Sequence, residues 1–181
     1  GDRQDYTSLV SISAQTVRAE GFARFARLGW HAQVERIVEH LRLFPGACLV
    51  DETGVGDPVF EQIRRAHRGP SAPFRFTAET KEQVVRGLSI GLDSGALKLA
   101  KIPELIDELQ AFQALEDRRG TAGQASSGTH ISHSSTHCRK YGAPAGLHDD
   151  CVMALGLAWY GMRKGQWAAH RGNPMKEGFM A

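Results

Sequence analysis

The chain has 181 residues, enough for one domain with a substantial core and too few for two domains of ordinary size. Hydrophobic residues make up 41% and charged residues 23%, which is typical of a folded globular protein and excludes wholesale disorder. A formal net charge of +2 excludes the strong overall basic field of many nucleic-acid-binding proteins, so any basic surface must arise locally.

The three cysteines (Cys48, Cys138 and Cys151) are odd in number and have no motif spacing. Cys48 and Cys151 sit in apolar runs, which predicts buried free thiols and a reducing, intracellular setting. The sequence shows no signal peptide and no apolar run long enough to cross a bilayer, so no membrane partner is expected.

The first 44 residues predict a hairpin followed by a helix. "YTSLVSIS" (6–13) nearly alternates apolar and polar residues, as a strand does, and "GFARFARLGW" (21–30) alternates apolar and basic residues, as its partner strand would. "HAQVERIVEHLRLF" (31–44) predicts a helix, because its apolar residues recur at helical spacing on one face. That face comprises Val34, Ile37, Val38 and Leu41.

The next segments alternate strands and helices. An apolar run ends at Asp51 and is followed by a glycine loop and by Pro58, a residue that favours the first turn of a helix. The predicted elements are a strand at 47–51, a helix from Pro58 to about His67, a strand at 73–77, a helix at 78–95 and a short extended piece. The stretch 103–116 is predicted to be helical at least at its start. Such alternation predicts an α/β domain with helices on both faces of a sheet.

The end of the chain differs in character. Residues 117–146 are rich in Gly, Ser and Thr, which predicts a long polar loop or mobile hairpin within the domain. "HDDCVMALGLAW" (148–159) predicts a helix, Arg163 and Lys164 suit its negative end, and residues 167–181 have no period and predict a loose tail.

Asp51 and the pair Asp149–Asp150 are the most informative acids. Asp51 closes a buried strand, and α/β folds place their sites beyond the carboxyl ends of strands. An N-cap or Asx-turn role for Asp51 explains the residue about as well. Asp149 and Asp150 open a helix directly after His148, where carboxylates either complement the helix dipole or form one wall of a metal site.

A metal site would join these acids to Asp5, which immediately precedes the first strand, whereas Asp2 reads as a surface turn residue. Hard divalent cations take oxygen ligands, and a pair of Mg²⁺ or Mn²⁺ ions needs several carboxylates converging from different elements. Carboxylates so placed would repel one another without cations, which is a reason to hold them on separate rigid elements.

Five segments together resemble the nuclease domain of phage large terminase subunits in order and spacing. They are "DYTSLVSIS", "LVDETGVGDPVFEQI", "FTAETKEQVVRGL", "IPELIDELQAF" and "YGAPAGLHDDCVMALGLAW", spread over residues 5–165. "VDETGVGD" and "HDD" are the most specific, and the "TK" and "EL" segments support them.

The resemblance implies an RNase H-like fold over residues 1–166, with a central mixed sheet flanked by helices on both faces. It implies a two-metal-ion endonuclease using Mg²⁺ or Mn²⁺, which cuts concatemeric double-stranded DNA during packaging. Asp51 matches the catalytic acid of one strand, Asp150 with Asp149 matches the helix-borne acid, and Asp5 matches an accessory acid. In such a protein the natural partners are an ATPase domain, the small terminase and the portal, in the cytoplasm of the bacterial host.

One departure from the family bears on activity. In the family the first catalytic aspartate closes a strand that precedes the position of Asp5. That strand would lie upstream of Gly1, so we expect this sequence to be a piece of a longer protein and to be a weak or inactive nuclease alone.

Several polar residues carry further expectations. His148 could support a metal ligand or move a proton, or could simply be a turn histidine. Lys81 matches a family lysine, and the other cations predicted to contact DNA phosphates are Arg118, Arg119, Arg139 and Lys140. Nothing resembles a base-reading helix, so cleavage should be largely independent of sequence. Trp30 and Trp159 are expected in the core rather than as platforms on which bases stack. A zinc site in "THISHSSTHC" (129–138), with His130, His133, His137 and Cys138, is disfavoured because its spacing fits no standard module.

Two other functions fit the same residues. One keeps the fold and changes the substrate, to a junction resolvase or an RNase H-type enzyme acting on hybrid nucleic acid. The other is a non-catalytic module that docks DNA or the packaging motor.

Overall fold

The computed structural model describes residues 6–53, 57–67, 69–115 and 140–164, and contains seven strands and five helices in these ranges. In chain order they are β1 (Tyr6–Ser13), β2 (Arg18–Ala26), α1 (Trp30–Leu43), β3 (Cys48–Asp51), α2 (Asp57–Ala66), β4 (Ser71–Phe74), α3 (Ala78–Asp93), β5 (Lys98–Leu99), α4 (Pro103–Ala111), β6 (Gln113–Leu115), β7 (Lys140–Gly142) and α5 (Asp150–Lys164). No helix of these ranges is long and apolar enough to span a membrane.

Most predicted elements are present near their expected positions. β1 has its predicted bounds and pairs with β2 as an antiparallel hairpin, although β2 begins at Arg18, three residues before the predicted start. All four apolar residues of the predicted face of α1 are buried. α3 ends at Asp93, just before Gly95, which adopts a positive φ of 68° suited to a residue without a side chain.

Two short strands in the second half were not specified by the sequence. The helix predicted to start at Pro103 ends at Ala111, and the chain then forms β6. The polar segment, predicted as a loop or a hairpin, contains β7, which pairs antiparallel with β6. Strands of three residues are too short to show alternation in the sequence. The loose tail and residues 117–139 of the polar segment lie outside the described residues.

The described strands form three sheets, of order β1–β2–β5, β3–β4 and β6–β7, where a single central sheet was expected. β3 pairs parallel with β4, and β2 pairs parallel with β5, so parallel and antiparallel pairs are both present. The first two sheets nevertheless occupy one layer, because both pack helices against opposite faces.

Alternation along β1 and β3 shows that layer. Leu9 of β1 and Val50 of β3 pack with the core formed by α1 and α2. On the opposite face, Val10 packs with the core around α5, and Leu49 packs with Val84 of α3 and Leu157 of α5. Successive residues of a strand point to opposite faces, so each sheet lies between the same two helical layers.

A wide cleft of about 1010 Å³ runs along β1 at the edge of the first sheet and along β3 at the edge of the second. Every residue of β1 and of β3 lines it, and within the described residues neither strand pairs with another strand on that side. Trp30, predicted to lie in the core, is instead 49% exposed and lines the cleft together with exposed Leu43 and Phe44. Trp30 begins α1, so its side chain lies at the end of the helix rather than on the packed face.

The position of α5 is set by close packing on α3. Trp159, 4% exposed as predicted, donates its indole N–H to the carbonyl oxygen of Gly87 at 2.8 Å. A Cβ added to Gly91 would lie 2.6 Å from that indole, so a glycine is required where the ring crosses α3. Cys151 at the other end of α5 is fully buried, as predicted, whereas Cys48 is only half-buried. Burial raises the pKa of each thiol to about 12, so both are protonated at neutral pH.

Candidate functional site

Asp51 is the last residue of β3 and lines the cleft. Its Oδ1 accepts a hydrogen bond from the backbone N–H of Thr53 at 2.8 Å, which is an Asx turn. A second hydrogen bond holds this turn in place. Thr53 Oγ1 accepts the backbone N–H of Phe76, just beyond β4, at 3.0 Å. Asp51 therefore makes the predicted turn and also faces the cleft, so the two roles do not exclude each other.

Asp149 and Asp150 lie at the start of α5. The carbonyl oxygen of Asp149 accepts the N–H of Met153 at 2.9 Å, so helical hydrogen bonding begins at that residue. Asp149 Oδ2 lies 3.4 Å from Lys81 Nζ, and Asp150 Oδ2 lies 3.6 Å from His148 Nδ1. Both aspartates and Lys81 line the cleft that Asp51 lines.

Lys81 reaches this place because α3 begins just before it. Thr77 and Thr80 form a reciprocal capping box, in which each side chain accepts the backbone N–H of the other. The cap fixes the first turn of α3, and Lys81 follows directly, with its backbone N–H bonded to the carbonyl oxygen of Thr77 at 2.9 Å.

The electrostatics of this end of the cleft favour a cation. Burial, followed by the nearby carboxylates of Glu108 and Asp149, raises the pKa of Asp150 above its ordinary value, and His148 and Arg24 only partly oppose this. Negative charge that the protein leaves incompletely compensated, on oxygen ligands beside an open cleft, is the chemistry that hard divalent cations need.

The structure brings Asp51, Asp149 and Asp150 to one cleft but not into one ready-made cluster. Among the described residues, no three acidic, histidine or cysteine side chains converge closely enough to hold a metal ion. His148 lies beside Asp150, where a supporting residue was expected.

Other predicted site residues cannot be placed in the same way. Asp5, Arg118, Arg119 and Arg139 lie outside the described residues, as do the three histidines and Cys138 of the disfavoured zinc site. Lys140 opens β7, and only its backbone is described.

Sequence reasoning missed Glu108 and Arg24. Glu108 is a buried acid on α4, 7% exposed, and Arg24 on β2 lies against it. The available signal was the spacing in "PELIDEL", which puts Glu108 three residues after the fully buried Leu105, on the same helical face. An acid on a buried face requires a partner.

Comparison with known proteins places the chain beside phage terminases. No protein-family model matches it. Over 160 residues, 88% of the chain, it is 26% identical to the terminase large subunit of Thermus phage G20c and 25% identical to that of Thermus virus P23-45. The chain spans 30% of the length of each of these relatives.

Solved structures give the same answer for the fold. The large terminase nuclease from thermophilic phage G20c superposes with a TM-score of 0.67 at 22% identity, over 88% of this chain and 77% of that one. The fold is that of the large terminase nucleases. The nuclease domain of Thermus phage P74-26 matches at 0.66 and 20% identity, over 89% and 75% of the two chains. A G20c structure with bound magnesium matches at 0.68 and 23% identity, over 88% and 76%. The resemblance to large terminase subunits and the α/β, RNase H-like fold class expected from it are thus confirmed.

Proposed function

We propose that this chain is the nuclease domain of a phage large terminase subunit, a metal-dependent endonuclease that hydrolyses phosphodiester bonds in double-stranded DNA. The observation that carries the proposal is that Asp51, Asp149 and Asp150 all line one cleft, in a fold shared with solved large terminase nucleases. A polypeptide that only docked DNA would have no need to hold three carboxylates beside a phosphate-binding surface, because they would repel the backbone.

The carboxylate oxygens of these residues are of the type that Mg²⁺ and Mn²⁺ take as ligands. Asp51 and Asp150 would be ligands with Asp149 in support, and Asp5 is the predicted accessory acid. When bound, such ions activate water and stabilise the leaving oxygen of a phosphodiester. The raised pKa of Asp150 is consistent with this assignment, since a bound cation would compensate the nearby carboxylates.

The chain's own cations have two tasks in this proposal. Lys81, at 3.4 Å from Asp149, holds that carboxylate at the cleft and offers a positive charge to a DNA phosphate. Arg118, Arg119, Arg139 and Lys140 would contact the backbone further along the duplex. Contacts of this kind are independent of base sequence, so cleavage should show little sequence preference.

We also propose that a further strand adds to the sheet between β1 and β3. Within the described residues, these two strands present unpaired edges to the same cleft, and the exposed apolar side chains of Trp30, Leu43 and Phe44 line it. An unpaired, apolar-lined edge is a site where a strand adds readily. By family resemblance that strand would carry the first catalytic aspartate, so a version of the protein that includes it should cut faster.

In the parent protein we expect an ATPase domain, the small terminase and the portal as partners, and the cytoplasm of the infected bacterium as the location. The support is the likeness to terminase large subunits, of which the chain matches 30% of the length.

A plasmid-nicking assay with Mn²⁺ tests the function directly. It compares the chain, and a longer version carrying the upstream segment, with Asp51→Ala and Asp150→Ala. Asp107→Ala is the control, since Asp107 is an exposed acid on α4 away from the cleft. We expect nicking to fall at least 100-fold in both site variants, the range seen when groups at the reacting centre are removed.

Other results would redirect the proposal. Equal nicking by the chain and by both site variants would overturn it. Cutting confined to branched DNA or RNA–DNA hybrids would favour the resolvase or hybrid nuclease, and DNA binding without cleavage by the longer version would favour the docking module.

A further inference from the structure

Glu108 is the least exposed acid in the described part of the chain, and it contacts the first turn of α5 beside the candidate site. Its Oε2 accepts a hydrogen bond from the backbone N–H of Cys151 at 2.7 Å, across 43 residues of sequence. α4 and α5 are therefore joined at the turn that carries Asp149 and Asp150.

The N–H of Cys151 needs a partner from outside its own helix. Asp150 is the first residue of α5 and Cys151 the second, and the first amides of a helix have no intrahelical acceptor. Cys151 is 0% exposed, so bulk water cannot supply one. The side chain just before a helix usually fills this role, and here Glu108 fills it from α4. Asp149 and Asp150 are thereby released from capping that amide.

The other oxygen of Glu108 is tied to the β1–β2 hairpin. Oε1 lies 2.9 Å from Arg24 Nη2, as an ion pair without hydrogen-bond alignment. The Arg24 guanidinium stacks 3.8 Å above the centre of the Tyr6 ring. The Tyr6 and His148 rings are nearly perpendicular, with 4.9 Å between their centroids. The hairpin thus contacts the approach to α5 through His148 and its first turn through Glu108.

We infer that Glu108 is a positioning residue for the proposed nuclease site, holding the first turn of α5 so that Asp149 and Asp150 face the cleft. Glu108 is not a candidate metal ligand itself, because it is 7% exposed, is paired with Arg24 and does not line the cleft. Groups that hold ligand-bearing elements in place typically change metal affinity 10–100-fold when removed. The expected effect on metal affinity rests on the proposed function, whereas the positioning of the first turn of α5 does not.

The first test measures positioning without metal. Amide hydrogen exchange by NMR is compared between the chain, Glu108→Ala, Glu108→Gln and a control, Val34→Ala. Val34 is buried in the core of α1 and α2, so its truncation lowers global stability without touching α5. We expect exchange at Cys151 to be at least tenfold faster in Glu108→Ala than in Val34→Ala, with Glu108→Gln between them, because glutamine keeps one oxygen but loses the charge.

The second test titrates the same four proteins with Mn²⁺ by calorimetry. We expect the Kd for Mn²⁺ to rise 10–100-fold in Glu108→Ala, less in Glu108→Gln, and to stay unchanged in Val34→Ala. Unchanged exchange at Cys151 and unchanged affinity in both Glu108 variants would overturn the inference. If Glu108→Ala does not fold, Glu108→Gln decides by the same criteria.

The two proposals fail separately. If the unmodified chain and its longer version bind no Mn²⁺, the proposed function fails, and exchange at Cys151 still decides whether Glu108 positions the turn. If they bind Mn²⁺ and the Glu108 variants bind it equally well, only the inference fails.

Discussion

Two walls of the cleft hold their carboxylates by different means. One is the end of β3 with Asp51, and the other, the α5 wall, is the start of α5 with Asp149 and Asp150. Asp51 is fixed by its own strand and by a hydrogen bond to an amide two residues away. Asp149 and Asp150 lie at the start of α5, which distant elements hold in place. Lys81, 68 residues before Asp149 in the sequence, pairs with that aspartate, and Glu108, 43 residues before Cys151, accepts the N–H of that cysteine. Asp51 is held by local chain geometry with one tie from Thr53 to Phe76 beyond β4, whereas the α5 wall is held by tertiary packing.

The α5 wall carries an electrostatic cost. Burial and the neighbouring carboxylates of Glu108 and Asp149 raise the pKa of Asp150, and His148 and Arg24 oppose this only in part. Functional sites often carry such a cost, because the arrangement that binds a cation is unfavourable without one. The α5 wall should therefore be the more sensitive to mutation, in both directions.

The largest expected difference comes from Arg24→Ala. It removes the cation beside the buried Glu108 and the stacking on Tyr6, and should lower the free energy of unfolding by about 2–3 kcal/mol, since an uncompensated buried charge remains. Urea denaturation, monitored by circular dichroism, measures this change in the free energy of unfolding.

The control for that prediction is Arg36→Ala. Arg36 pairs with Glu39 on α1 at 3.4 Å, but both side chains are more than half exposed, so the loss should be below about 0.5 kcal/mol. Equal effects of the two substitutions would show that the α5 wall does not depend on its buried pair.

A smaller effect, of opposite sign, is expected from Asp150→Asn. The folded pKa of Asp150 is raised above the ordinary 3.8, so the native state keeps a proton that the unfolded state releases as pH rises between the two values. Stability falls through that window and remains lowered at neutral pH. Asparagine removes the cost, so Tm should rise by about 2 °C at pH 7 and should not rise at pH 3.

Asp51→Asn is the matched substitution on the other wall. The asparagine Oδ1 can still accept the N–H of Thr53, so Tm should stay within about 1 °C of that of the unmodified chain at pH 7. A rise equal to that of Asp150→Asn would show that the rise in Asp150→Asn does not come from the burial of Asp150 and its neighbouring carboxylates.

The same contrast explains what the sequence could and could not predict. Asp51 was placed correctly because an apolar run followed by an acid and a glycine loop specifies a strand end over a few residues. The start of α5 was also placed correctly, since a long apolar helix is a strong local pattern. That Glu108 would cap this helix was not predictable, because the contact depends on how α4 packs, and no local pattern encodes it.

The separation of the sheet into parts has a related cause. β1 and β3 were predicted individually, but strand pairing depends on which edges meet, and a single sequence gives no register between distant strands. The prediction for Trp30 was wrong because burial also depends on tertiary placement. Its apolar indole favours the core, but its position as the first residue of α1, beside the cleft, leaves it exposed.

The smallest effect concerns Lys81, whose ion pair with Asp149 joins α3 to the α5 wall. Both side chains are about one third exposed, so Lys81→Met should cost only about 0.5 kcal/mol. A double-mutant cycle with Asp149→Asn isolates the pair, and its coupling free energy should be positive at low salt and shrink in 0.5 M NaCl. Zero coupling at low salt would show that Lys81 is not held by Asp149. In either case the proposed phosphate contact predicts that Lys81→Met weakens DNA binding to the same degree across all sequences, because a phosphate contact carries no base preference.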